Sequence, residues 1–274
     1  MNRFYRTLAS ILLASTLLTA CSSDKEIDDS SFVEEPADQI FNEGLALLNS
    51  GKYSRAAKRF EDLEEQHPYS EYTRRAAVLT TYAYYTNGKY DDAISTGERY
   101  ITLHPGSEEA PYVQYLVAQS YFRGMPDVTR DQEQTKKALR KLNELIERYP
   151  DSEYVDDARD KILVVNDQLA GKEMTIGRYY LERRQFIAAI ERFKTVVTEY
   201  QTTRHVEEAL YRLTESYLAL GIVNEAQTAA AILGHNFPDS PWYKDAYSLL
   251  QEGGLEPSEN RGSWLSRAFE RFVR

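Results

Sequence analysis

The sequence holds one cysteine, Cys21, and the residues before it define its chemistry. Arg3 and Arg6 precede an apolar run of about eleven residues, which is shorter than the roughly 20 that a membrane-spanning helix needs. A basic start and a short apolar run are typical of a signal peptide, here residues 1–20. Leu18–Cys21 reads LTAC and fits a lipobox, in which the cysteine thiol is acylated and its amine becomes the new N-terminus.

The residues that follow Cys21 predict an outer-membrane anchor. Each buried CH₂ adds about 0.8 kcal/mol of membrane affinity, so N-acyl and S-diacylglycerol chains on Cys21 would hold the protein on a bilayer without spanning it. Ser22 and Ser23 stand where an Asp would retain a Gram-negative lipoprotein at the inner membrane, which favours the periplasmic face of the outer membrane. Residues 21–36 are polar and acidic, which predicts a flexible lipidated tether that spans roughly 20 Å as a coil.

Patterns for catalysis or metal binding are weak. The four histidines form no His-x-x-x-His pair, and acidic doublets such as Asp91-Asp92 are placed to complement the positive ends of helices. Glu215-Ser216 is similar to the catalytic motif of lytic transglycosylases, which remain a minor alternative because no lysozyme-like domain follows. We therefore predict no enzyme, no catalytic residue, no metal site and no cofactor besides the lipid. The formal net charge of −10 argues against nucleic acid as a partner.

Internal repeats predict the fold. GKYSRAAKRFEDLEEQHPYSEY begins at Gly51, and the related GKYDDAISTGERYITLHPGSEE begins 37 residues later at Gly88. Five positions that end a repeat are each preceded, twelve residues earlier, by an alanine: Ala56, Ala93, Ala138, Ala189 and Ala226. The pattern predicts an all-α, tetratricopeptide-type (TPR) α-solenoid of five antiparallel helix pairs, with a lipidated flexible N-terminus.

Each repeat should pack and end in the same way. The small alanine lets the second helix of a pair approach the first closely, and apolar residues such as Phe60 and Leu63 fill the space between repeats. A proline ends the second helix in four repeats, and Gln201 stands at this place in the fourth. We expect the hydroxyl two residues later to cap the next helix, at Ser70, Ser107, Ser152, Thr203 and Ser240.

Two irregular spacings divide the chain. Residues 123–131 contain Gly and Pro and predict a loop insertion in the third repeat, whereas residues 152–184 predict one long helix that links two halves of the solenoid. The predicted organisation after the tether is a TPR half at 37–122, the loop insertion, a second TPR half at 132–250, and a linker with a basic amphipathic tail at 251–274. The tail either caps the solenoid or contacts a membrane or partner.

Two groups of side chains are candidate binding residues. Tyrosines of the first TPR half offer rigid amphipathic surface for an extended peptide, and we assign them to a groove: Tyr82, Tyr84, Tyr85, Tyr112 and Tyr115. The segment from Lys172 to Lys194 contains six basic and three acidic residues. Such a surplus of positive charge is also typical of a solvated helix face. Because arginine suits bidentate carboxylate contacts, we assign partner binding to Arg178, Arg183, Arg184 and Arg192.

Four further segments, together with the lipobox, resemble a known family. Residues 83–85 (AYY), 149–158 (YPDSEYVDDA), 171–193 (GKEMTIGRYYLERRQFIAAIERF) and 233–243 (LGHNFPDSPWY) resemble the BamD family, lipoproteins of the outer-membrane β-barrel assembly (BAM) machinery. The resemblance implies a non-enzymatic scaffold whose C-terminal repeats dock on a POTRA domain of BamA, beside other BAM lipoproteins, and whose N-terminal repeats receive unfolded outer-membrane β-barrel proteins. Glu191 and Gln201 depart from the Asn and Pro common in the family. Another outer-membrane TPR lipoprotein, such as a secretin pilotin, is the alternative.

Overall fold

The computed structural model describes residues 35–272, and Cys21, Ser22, Ser23 and the predicted signal peptide lie outside these residues. Within them every regular element is a helix. The helices are α1 Ala37–Asn49, α2 Tyr53–Gln66, α3 Thr73–Thr86, α4 Tyr90–Leu103, α5 Ala110–Arg123, α6 Glu133–Arg148, α7 Val155–Glu182, α8 Phe186–Glu199, α9 Val206–Ala219, α10 Val223–Asn236, α11 Pro241–Glu252 and α12 Trp264–Phe272.

The first ten helices form five antiparallel pairs, which confirms the predicted TPR-type solenoid. The five repeat alanines are fully buried, as are Phe60 and Leu63 of α2. The first helices of neighbouring pairs also pack on one another, α3 on α5 and α5 on α7. The buried apolar residues form four clusters along the solenoid, because a single helix pair cannot bury its own apolar face.

The turns inside the pairs are alike except in the fourth pair. Gly51, Gly88 and Gly221 adopt φ values of 72°, 74° and 72° in the first, second and fifth pairs. The fourth pair has Arg184 at this place, with φ 57°, and it is the only non-glycine residue with positive φ among the described residues. A left-handed conformation costs an L-residue with a side chain roughly 1 to 2 kcal/mol, so Arg184 occupies a position that suits glycine better.

The two irregular spacings meet in space. Helix α7 is one continuous helix of 28 residues, which confirms the predicted long helix with slightly later and earlier ends. The loop between α5 and α6 lies against its middle: Gln168 Nε2 donates to Pro126 O at 2.7 Å, and Lys172 Nζ donates to Thr129 O at 2.9 Å. The extra residues of the third repeat therefore cover the extra turns of the fourth.

The predicted helix caps are wrong for most repeats. Only Ser240 is a helix N-cap, with Oγ accepting from Trp242 N at 3.2 Å. Ser70 and Ser152 accept an amide two residues later, but α3 and α7 begin one residue beyond that amide. Ser107 bonds the Tyr100 hydroxyl instead, and Thr203 donates to Tyr200 O. A short turn separates these four hydroxyls from the helix, whereas Pro241 starts α11 directly after Ser240.

The C-terminal tail packs on the solenoid. Helix α11 extends the stack beside α9 and α10, and α12 turns back onto α8 and α10. Leu265 and Phe269 of α12 are buried there. The sequence predicts that the apolar face of this tail either caps the solenoid or contacts a membrane or partner. In the structure this face packs within the chain.

Candidate binding surfaces

Five tyrosines gather on the first helices of pairs two and three and just before the first helix of pair four. We call Tyr82, Tyr85, Tyr112, Tyr115 and Tyr154 the tyrosine cluster. The Tyr154 ring stacks on Tyr115 with centroids 4.6 Å apart and lies 5.6 Å from Tyr112. Burial, followed by the nearby Tyr82, Tyr154 and Tyr85, raises the pKa of Tyr112 to about 12. The cluster is half-buried and offers aromatic rings and hydroxyl groups.

One sequence-predicted groove residue does not join the cluster. Tyr84 donates its hydroxyl hydrogen to Glu61 Oε1 of α2 at 2.6 Å. Burial and this carboxylate raise the pKa of Tyr84, which keeps its hydroxyl protonated. Its neighbour Tyr85 instead lies with the cluster and hydrogen-bonds Arg123, raising the pKa of that guanidinium.

Tyr154 belongs to the cluster although the sequence analysis did not select it. It immediately precedes α7, as Tyr72 immediately precedes α3, and the Tyr72 ring stacks on Phe41 with centroids 5.1 Å apart. The shared place in the repeat was the available signal. An aromatic residue just before a first helix reaches the first helix of the preceding pair.

A carboxylate borders the cluster on α7. Asp157 is held by Lys161 Nζ at 2.6 Å and by Gln119 Nε2 at 3.1 Å. Burial and a hydrogen bond to Asp157 raise the pKa of Tyr115 to about 12. The cluster therefore combines flat aromatic surface with polar groups at its rim, an arrangement suited to an extended peptide that presents both apolar side chains and backbone amides.

The second candidate site lies at the turns of pairs four and five. We call Tyr179, Arg183, Arg184, Ile187 and Leu220 the turn surface. Tyr179 is 51% exposed and Ile187 is 72% exposed, and the Arg183 guanidinium carbon lies 3.6 Å from the Tyr179 ring centroid. A shallow cavity of about 490 Å³ includes Arg184, Ile187 and Leu220 among its lining residues. The surface offers cations beside uncovered apolar side chains.

The other two predicted arginines have partners within the chain. Arg178 of α7 binds Glu208 of α9 in bidentate fashion, with Nε–Oε1 at 2.8 Å and Nη2–Oε2 at 2.5 Å. Arg192 of α8 binds Glu173 of α7, with Nη1–Oε2 at 3.1 Å. Burial raises the pKa of Glu208, but the hydrogen bond and charge of Arg178 outweigh it and hold this pKa below its usual value. The four arginines therefore divide into two that join helices and two at the exposed turn.

Among residues 35–272 no group of three or more His, Cys, Asp and Glu side chains is arranged to hold a metal ion. In the same part of the chain no helix is both long enough and apolar enough to cross a bilayer.

Five stacked helix pairs with an aromatic cluster and an exposed cationic turn define a TPR-type binding scaffold. Residues 33–233 match the family model YfiO, described as outer membrane lipoprotein. Curated relatives named outer membrane protein assembly factor BamD include those of Caulobacter vibrioides, 45% identical over 92% of this chain and 82% of the relative, and Rickettsia prowazekii, 39% identical over 90% and 97%. The chain belongs to the BamD (YfiO) family of outer-membrane protein assembly factors.

A solved structure of a thermophilic TPR protein from Thermus thermophilus also matches. It has 18% identity, covers 79% of this chain and 100% of that chain, and has a TM-score of 0.34.

Proposed function

We propose that this chain is a non-enzymatic scaffold of the BAM complex, anchored in the outer membrane through lipid on Cys21 and facing the periplasm. In this proposal the turn surface docks on a POTRA domain of BamA, and the tyrosine cluster receives unfolded outer-membrane β-barrel proteins before their insertion. Other BAM lipoproteins are further partners. The family of the chain supports the assembly role. The residues of the two surfaces support a docking role for the turn surface and a peptide-binding role for the tyrosine cluster.

The observation that carries the docking proposal is the backbone of Arg184. Three other pairs place glycine at this turn, and glycine would avoid the steric cost of φ 57°. A residue retained in an unfavourable conformation is a sign of use elsewhere. At Arg184 that use is an exposed guanidinium beside Arg183 and Ile187, able to form a bidentate contact with a carboxylate of the partner.

Arg184→Gly separates docking from folding. The substitution relieves the left-handed backbone, so we expect a melting temperature equal to or above that of the wild type. Co-purification with BamA should fall several-fold, because the charge-assisted contact is lost. Arg55→Ala, which removes an exposed arginine of α2, is the control and should co-purify normally. Normal BamA recovery by folded Arg184→Gly protein would place the docking surface elsewhere.

Arg192 gives a less direct test. Arg192→Glu would set a second carboxylate against Glu173, so any loss of docking would mix repulsion within the chain with the loss of a partner contact. Substitution of Arg192 by methionine keeps most of the side-chain volume and is the better companion to Arg184→Gly.

The anchor is tested by cell fractionation. Cys21→Ser should leave the protein unprocessed or soluble in the periplasm, and Ser22→Asp should move it to the inner-membrane fraction. Normally processed Cys21→Ser protein in the outer membrane would refute the lipid anchor, whatever the outcome of the docking experiment.

A further inference from the structure

The C-terminal end of the chain comprises α11, the connecting segment 253–263 and α12, which follow the residues that the family model matches, 33–233. Helix α11 continues the stack in the place of a sixth first helix, beside α9. Helix α12 does something different, because it returns to the second helices of pairs four and five, α8 and α10.

The connecting segment runs along α10 and is held by polar contacts. Gln227 Nε2 donates to Glu256 O at 2.7 Å, and the Ser263 hydroxyl donates to Glu225 Oε2 at 2.5 Å. Asn260 N donates to Thr228 Oγ1 at 3.2 Å. These contacts fix the start of α12 beside α10, next to the groove between α8 and α10.

Helix α12 places its apolar face in the groove between α8 and α10. Leu265 and Phe269 are buried against α8 and α10, and Trp264 donates its indole N–H to the Tyr217 hydroxyl at 3.1 Å. Lys194 Nζ of α8 lies over the indole ring, 5.1 Å from the ring centroid. Leu265 and Phe269 have the i, i+4 spacing by which an amphipathic helix lays its apolar face in a groove, and Trp264 is a third anchor.

Gln201 connects the end of the fourth repeat to α12. It stands where the other four repeats have proline, yet α8 ends at Glu199 without one. Its Nε2 donates to Val197 O at 2.7 Å and reaches Ala268 O of α12 at 3.3 Å. A proline would provide neither donor. The one repeat without a terminal proline is thus the one whose end contacts α12.

The contact between α12 and α10 leaves a space on one side. A cavity of about 400 Å³ lies beside α10 and α12, lined by residues of α10, of the connecting segment and of α12: Ile232, His235, Asn236, Glu259, Ser266, Phe269 and Glu270. Phe269 is buried against the solenoid on one side and lines this cavity on the other. Helix α12 therefore leaves space beside α10 that a different helix could fill, as suits an occupant that can be exchanged.

We propose that α8 and α10 form a groove for an amphipathic helix and that α12 is its exchangeable intramolecular occupant. The partner that fits is a helix with the same chemistry, an aromatic–leucine pair followed four residues later by phenylalanine. Because a tethered segment has an effective concentration on the order of millimolar, a partner helix gains the groove only when α12 is released or outcompeted. The contact is therefore autoinhibitory.

The test supplies the occupant in trans. A fluorescent peptide of residues 256–274 is titrated against the mature chain and against the full-length variant Leu265→Asp/Phe269→Asp, which releases α12 while keeping every residue of the groove. We expect the peptide to bind the release variant at least tenfold more tightly than the wild type. A peptide carrying the same two aspartates should not bind. Arg267→Ala, an exposed change on α12, is the control chain and should behave as the wild type.

Gln201→Pro is the second, milder variant. It restores the residue of the other repeats, so α8 should end normally, but it removes the contact with Ala268. We expect peptide binding between that of the wild type and that of the release variant. Equal binding to all chains, or no gain by folded release and Gln201→Pro variants, overturns the proposal. Loss of cooperative melting in both variants also overturns it, because α12 would then be part of the folding core.

Discussion

The tyrosine cluster and the turn surface belong to the same repeat architecture but present opposite chemistry. Tyr115 and Tyr154 are half-buried and stack on one another, whereas Ile187 and Arg184 of the turn surface are exposed and cover little. Tyr154 immediately precedes α7 and Tyr179 lies near the end of this helix, roughly 37 Å away at 1.5 Å per residue. The helices supply a common frame, and the choice of residues at turns and at the positions before helices gives each half its own surface.

The arginines show that a basic stretch does not by itself identify an available surface. Arg178 and Arg192 have the same charge as Arg183 and Arg184, but their guanidinium groups join α7 to α9 and α8 to α7. An arginine that already holds a carboxylate in the chain must lose that contact before it binds another. Of the four arginines, only Arg183 and Arg184 can bind a partner without first losing a carboxylate contact.

The largest expected effect tests whether the two halves really share one packing unit. Gly44 of pair one and Gly177 of pair four occupy the same place, and a Cβ at either would lie 2.4 Å from the ring of Phe60 or Phe193. Gly44→Ala and Gly177→Ala should each lower the free energy of unfolding by about 1 to 3 kcal/mol, because an overpacked core must move. Urea denaturation measures both.

A small effect at only one of these glycines would break the equivalence of the pairs. Gly106→Ala, at an open site with nothing near a new Cβ, is the matched control and should change stability little.

The next effect separates the paired arginines from the exposed ones. Arg178→Ala leaves Glu208, whose side chain is 12% exposed, with only the weaker contact to Arg212. Since the Arg178 side chain is itself 40% exposed, we expect a loss of about 1 to 2 kcal/mol, between the ranges for surface and buried pairs. Arg183→Ala should cost less than about 0.5 kcal/mol.

The pH dependence of Arg178→Ala has a defined sign. Because the pKa of Glu208 is lowered in the fold, its contribution is present above the ordinary glutamate pKa and is lost as pH falls through the lowered value. The difference in unfolding free energy between wild type and Arg178→Ala should therefore be largest near neutral pH and shrink below about pH 4. A difference that stays constant from pH 7 to pH 3 would show that the ion pair is not its source.

The repeats predicted much of the fold, and the reason is local. The buried alanines, the five helix pairs and the continuous α7 follow from periodicity and spacing within short segments. The roles of Arg178 and Gln201 could not be predicted, because they depend on how distant helices align: Arg178 and Glu208 are 30 residues apart, and Gln201 and Ala268 are 67 apart. Tyr154 was accessible in principle, since Tyr72 marks the same place in another repeat.

The smallest expected effect tests the tyrosine cluster through two adjacent residues. Tyr85 belongs to the cluster, whereas Tyr84 points to Glu61 of α2. Tyr85→Ala should weaken binding of a labelled peptide from a β-barrel strand by two- to tenfold, since an aromatic contact contributes about 0.5 to 1.5 kcal/mol. Tyr84→Ala should lower the melting temperature by removing a part-buried hydrogen bond and yet leave peptide affinity unchanged. Fluorescence anisotropy and thermal melting on the same samples distinguish the two roles. Weaker binding by Tyr84→Ala alone would move the peptide site to the α2 side of α3 and remove the contrast between the tyrosine cluster and the turn surface.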